Sequence, residues 1–112
     1  MSSGITSLQN STVTAVNNLG TSPVQVITAN PARRKLTFRN PGTVDVVVFP
    51  TTVLTSSGVS VTLTPSVGSL GGGSRVFANG GDVEMTGQNA KQAHQALAVS
   101  GSGNPLTIIE ET

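Results

Sequence analysis

Residues 30–50 read NPARRKLTFRNPGTVDVVVFP, and the fold class follows from how that string alternates. Leu36 and Phe38 fall on one face of an extended segment, while Lys35, Thr37 and Arg39 fall on the other. That is the period-two pattern of a half-buried strand. Asn40, Pro41, Gly42 and Thr43 follow as a tight turn. Proline pre-sets φ at the second turn position, and glycine accepts positive φ at the third. Beyond Asp45 the chain is apolar on both faces through Phe49, which suits a strand in the middle of a sandwich. The two segments read together as a hairpin. It holds four of the six basic residues, Arg33, Arg34, Lys35 and Arg39.

Outward from this stretch the same grammar repeats. Short strands are expected at residues 24–28, 59–64, 75–78, 82–86 and 106–110, each bounded by Gly, Pro or Asn. Val59, Val61 and Leu63 alternate with Ser60, Thr62 and Thr64, which predicts a half-buried strand ending at Pro65. Asn79-Gly80 is a strong hairpin-turn dipeptide. Val83 and Met85 then face away from Asp82 and Glu84. Residues 89–99, NAKQAHQALAV, are ambiguous. Propensity leans to helix, yet His94, Ala96 and Ala98 also alternate with Ala93, Leu97 and Val99. Many short strands at close spacing predict an all-β, single-domain antiparallel sandwich.

A chain of 112 residues is one domain by length. Folding at this size buries roughly 65% of the unfolded surface, so stability is modest. Only 10% of residues are charged and the net charge is +1, so no global field draws the chain to nucleic acid or to anionic membranes. Polarity comes instead from Ser, Thr, Asn and Gln. There is no cysteine, hence no disulfide framework and no thiolate chemistry. No run approaches the length of a membrane span, and residues 1–18 lack the charged start and apolar stretch of a signal peptide. Residues 1–22 read as an N-terminal arm, with a short strand at 12–17 and ordering on assembly as one expectation. Residues 23–112 form the sandwich domain.

The strings ANPARR-L-F-N-GT-V-V and ALAVSGSGNPLTIIE resemble small bacteriophage virion proteins, above all capsid decoration (cement) proteins of the jelly-roll type. The resemblance spans residues 24–110 and is weaker over 51–75. It implies a jelly roll of about eight short strands and turns the ambiguous 89–99 segment into a strand. It also implies a structural role on the outer capsid surface after synthesis in the host cytoplasm. The partners implied are the major capsid protein and copies of the chain itself, as dimer or trimer. The basic residues Arg33, Arg34, Lys35 and Arg39 are then the candidate capsid contacts. A neck, tail or fibre-associated adaptor is the alternative placement.

Catalytic chemistry is thinly provided. His94 is the one histidine and carries no nucleophile signature such as G-x-S-x-G. A small hydrolase using His94 with Asp82 or Glu84 is the remote alternative, and a packed or interfacial ring is the expected role. Asp82 and Glu84 share a strand face, which without further oxygen ligands reads as solvated charge rather than a cation site. The glycine-rich run at residues 70–75, LGGGSR, has no following lysine or helix and so is not a phosphate loop. Three phenylalanines with no Tyr or Trp supply no base-stacking platform and no sugar-binding face. No cofactor, metal or nucleic-acid partner is expected.

Overall fold

A computed structural model describes residues 10–112. The strands are β1 (Ser11–Leu19), β2 (Val24–Ile27), β3 (Lys35–Asn40), β4 (Val46–Pro50), β5 (Thr52–Leu54), β6 (Ser60–Thr62), β7 (Ser74–Val76), β8 (Gly81–Thr86), β9 (His94–Ala98) and β10 (Asn104–Glu111), with one short helix, α1 (Gly87–Lys91). Eight of the strands make two antiparallel four-stranded sheets, in the orders β1-β10-β3-β8 and β2-β9-β4-β7. β5 and β6 pair only with each other. The chain changes sheet at every connection between the eight, except from β4 to its neighbour β7, where β5 and β6 are inserted. That strand order is a jelly roll, an all-β sandwich of two Greek keys.

Period two decides which side chains meet between the sheets. Leu36 and Phe38 of β3, Leu106 and Ile108 of β10, Val46 and Val48 of β4, and Ala96 and Ala98 of β9 are all buried in one core. Val83 and Met85 of β8 pack against it. β4 lies between β9 and β7 and is buried on both faces, as its unbroken apolar run predicts. Its outward residues Val47 and Phe49 form a second cluster with Leu97, covered by Leu63, Leu70 and Val99. The 51–73 insertion thus caps the outer face of the second sheet, anchored by Gln95 Nε2 donating to the Leu63 carbonyl at 2.9 Å.

Two expected hairpins are corners instead. β3 and β4 belong to opposite sheets, as do β7 and β8. Local turn chemistry held at one corner: Asn79 and Gly80 both take positive φ, 65° and 96°, as Asn-Gly turns do, whereas Gly42 does not take the positive φ expected of it. The turns nevertheless carry the chain across the sandwich, and the two corners are stitched together. Asn79 N donates to the Gly42 carbonyl at 2.8 Å, and Gly80 N to the Asn40 carbonyl at 2.7 Å. The buried Asn40 amide donates to the Val44 and Val76 carbonyls at 2.7 and 3.0 Å. Four hydrogen bonds thus satisfy the corners without a hairpin ladder.

The remaining expectations resolve one by one. The helix and strand readings of 89–99 each hold in part, since α1 ends at Lys91 and β9 starts at His94. β6 is exposed along its whole length, so the half-buried strand expected at 59–64 is wrong except at Leu63. It pairs only with β5. Of the arm expected over 1–22, residues 1–9 lie outside the described residues, and β1 pairs with β10 from Ser11↔Glu111 to Leu19↔Asn104.

Candidate interaction surface

The four basic candidates separate into an internal staple and a surface lattice. Arg33 is 1% exposed. Its guanidinium donates to Glu110 Oε1 at 3.0 Å, to the Ala90 and Gln92 carbonyls at 2.7 and 3.2 Å, and to the Thr28 carbonyl at 2.7 Å. A fork of five donors suits this convergence of acceptors. Arg33 therefore ties the 28–33 loop, α1 and β10 together and presents no charge to a partner, contrary to its expected place in a contact patch.

Lys35 and Arg39 do face solvent, on the outer face of the first sheet. Register places Lys35 opposite Glu111 and Thr86, Thr37 opposite Ile109 and Glu84, and Arg39 opposite Asp82 and Thr107. Lys35 Nζ lies 3.3 Å from Glu84 and 3.8 Å from Glu111. Arg39 grips Asp82 through two hydrogen bonds of 2.7 and 3.0 Å. That grip holds the Asp82 carboxyl below the usual carboxylate range and raises Arg39. Asp82 and Glu84 share a face as expected, and they spend their charge on cross-strand neighbours. A face with two cations and three carboxylates is not a basic patch. Arg34 is exposed beside it, its backbone amide donating to the Glu111 carbonyl at 2.8 Å.

His94 sits on the opposite side of this sheet, buried in the sandwich interior. Its ring meets Phe38 edge-on, centroids 5.5 Å apart at 61°, and Nδ1 lies 3.0 Å from the Gln92 carbonyl. Burial lowers its pKa, with the hydrogen bond to Gln92 opposing and nearby Arg33 adding a smaller push downward. The structure does not bring His94 together with Asp82 or Glu84, whose side chains point outward from the first sheet. Among the described residues no three His, Cys, Asp or Glu side chains converge to hold a metal.

The glycine-rich run packs rather than cradles. Leu70 covers Phe49, and an added Cβ on Gly73 would fall 2.5 Å from Phe49 Cε2. The cleft beside it is lined by Phe49, Thr62, Leu63, Thr64, Pro65, Ser69 and Gly71, none of them titratable.

What sequence reasoning missed is the surface next to this cleft. Residues 46–74 contain no charged side chain. Within them the β5–β6 hairpin exposes Leu54 at 75% and Val59 at 57%, with Val53 and Val61 facing each other across the pair. Val67 and Phe77 are exposed nearby in sequence. Val53 and Val61 lie on one face of this two-stranded ribbon and Leu54 on the other, so apolar side chains reach solvent on both sides of it. The available signal was the 29-residue charge gap from Val46 to Ser74. No family model, curated protein or solved structure matches the chain.

Proposed function

We propose that this chain is a structural virion protein, a capsid decoration or cement protein that binds the outer surface of a phage shell. The observation that carries the reading is the uncharged β5–β6 hairpin, whose exposed Leu54 and Val59 flank its turn, on a jelly roll whose own surface charges are largely paired. Such a ribbon gains by burial against a neutral protein surface and offers nothing to a phosphate backbone. The resemblance at residues 30–50 and 96–110 points the same way. Jelly-roll order adds to it as analogy, because the fold is recurrent in capsids and hosts other functions too.

In this reading the contact shifts from the basic cluster to the hairpin. A protein that binds only the assembled shell stabilises it by RT ln(1 + [L]/Kd) per site, about 2.7 kcal/mol at a hundredfold excess over Kd. Copies at the junctions between major capsid proteins multiply that term across the particle. Co-sedimentation of the purified chain with shells stripped of it is the test. The wild type pellets with the shells, and Leu54→Ser with Val59→Ser abolishes pelleting while leaving the melting curve in place. Equal pelleting by the double variant removes the hairpin from the interface.

A further inference from the structure

The two sheets have four edges, and three are guarded. β8 carries Asp82 and Glu84, held by Arg39 and Lys35. β7 is three residues long, and its central Arg75 is held by Asp45 at 2.9 Å. β2 has four residues and a register shift between Gln25 and Ile27. Charge, brevity and irregularity are the usual devices that keep edges from pairing. β1 has none of them over Ser11–Val16. It is nine residues long, reads STVTAVNNL, and pairs regularly with β10 as far as Val16. No charged side chain lies between Asn10 and Asn30, and no described strand pairs with its outer edge.

The hydrogen-bond phase of that edge is fixed. Thr112 N donates to the Asn10 carbonyl at 3.0 Å, and the register runs Ser11↔Glu111, Thr12↔Glu110, Val13↔Ile109. Antiparallel pairs alternate between bonded and non-bonded. Thr12, Thr14 and Val16 therefore bond inward to β10, while Ser11, Val13 and Ala15 turn their N–H and C=O groups to the outside.

We propose that this edge pairs with β1 of a second copy of the chain, antiparallel about a two-fold axis, joining the two outer sheets into one eight-stranded sheet. Pairing about Val13 sets Val13 against its own symmetry mate and Ser11 against Ala15. Val13, 65% exposed, lies beside Ile109 on the sheet face. The two-fold therefore continues one apolar row, Ile109–Val13, into its copy. An uncharged strand meets itself without like-charge repulsion, and closure uses up the edge, so growth stops at the dimer. An interface this short falls below the area of a standard stable complex, which sets a weak, micromolar dimer. None of this depends on the capsid reading.

Sedimentation equilibrium of the full chain up to millimolar concentration, with amide exchange by NMR, tests it. A monomer–dimer equilibrium is expected, with Val13 and Ala15 amides gaining protection as concentration rises. Thr12 and Thr14 amides stay protected at every concentration. Val13→Pro removes only an outward donor, so the fold is kept and the dimer Kd rises on the order of tenfold or more. A chain that stays monomeric overturns the proposal. So does a dimer indifferent to Val13→Pro, or one whose Val13 and Ala15 amides exchange freely at all concentrations. If Val13→Pro fails to fold, the exchange pattern of the wild type decides.

Discussion

Arg33 Nε lies 3.0 Å from Glu110 Oε1 while the arginine side chain is 1% exposed, so the most prominent basic residue of the sequence works inside the protein. Removing Arg33 leaves Glu110 and the Ala90 and Thr28 carbonyls without the donor they use, while the Gln92 carbonyl keeps the His94 ring nitrogen 3.0 Å away. Arg33→Ala is expected to destabilise by about 3–5 kcal/mol. Chemical denaturation measures this, and Arg34→Ala, at an exposed position, is the comparison. Equal effects of the two substitutions would contradict the internal role.

Burial holds His94 below its ordinary value of 6.5. Between that lowered folded-state value and about 6.5 the unfolded chain binds more protons, so stability rises with pH across the window. The contribution is complete above about pH 6.5 and is lost as pH falls through the window. Melting temperature followed from pH 7.5 downward should therefore drop for the wild type, and His94→Leu should flatten that first slope. A second loss should begin near the ordinary carboxylate value of 3.8. At that value the unfolded carboxylates take up protons, and the contribution is lost as Asp45, held down by the Ala78 amide and then Arg75, and Asp82, held down by Arg39, protonate at lower pH. An unchanged upper slope in His94→Leu would remove the ring from the account of acid sensitivity.

Gly73 and Gly71 sit two residues apart in one loop and predict opposite outcomes. A Cβ on Gly73 would meet Phe49 Cε2 at 2.5 Å and Val47 Cγ1 at 2.6 Å, whereas nothing lies within 4 Å of one on Gly71. Gly73→Ala is expected to cost about 1–3 kcal/mol by overpacking the outer cluster. Gly71→Ala should leave the denaturation midpoint nearly in place. Phe49→Ala, which empties the same cluster, should cost about 3–5 kcal/mol.

The lattice of Lys35, Arg39, Asp82 and Glu84 is a surface device. Lys35→Gln with Arg39→Gln should leave shell pelleting unchanged at physiological salt, while the hairpin variant abolishes it. Loss of pelleting in the lattice variant would return the contact to the basic residues first suggested by the sequence.

Much of this fold can be read from periodicity alone. Leu36 and Phe38, Val83 and Met85, and the unbroken run 46–49 each declare their faces because a strand has only two. Corners and burial of polar groups are different in kind. Asn40-Pro41-Gly42 and Asn79-Gly80 specify backbone dihedrals, but whether the next strand joins the same sheet depends on the core beyond. Arg33 stands beside Arg34 and Lys35 and looks solvated. Its burial depends on carbonyls at residues 28, 90 and 92, which no local pattern connects. Val59 and Val61 alternate as a half-buried strand should, yet only Leu63 finds a sheet to cover. The charge gap over 46–74 was the legible sign that this insertion differs from the charged sheet faces around it.

Copies of this chain per purified virion, counted by quantitative mass spectrometry against the major capsid protein, bear most directly on the decoration role. A ratio of the same order as the capsid protein is the predicted result. A handful of copies would place the chain at the neck or tail, and absence from the particle would contradict a virion role altogether.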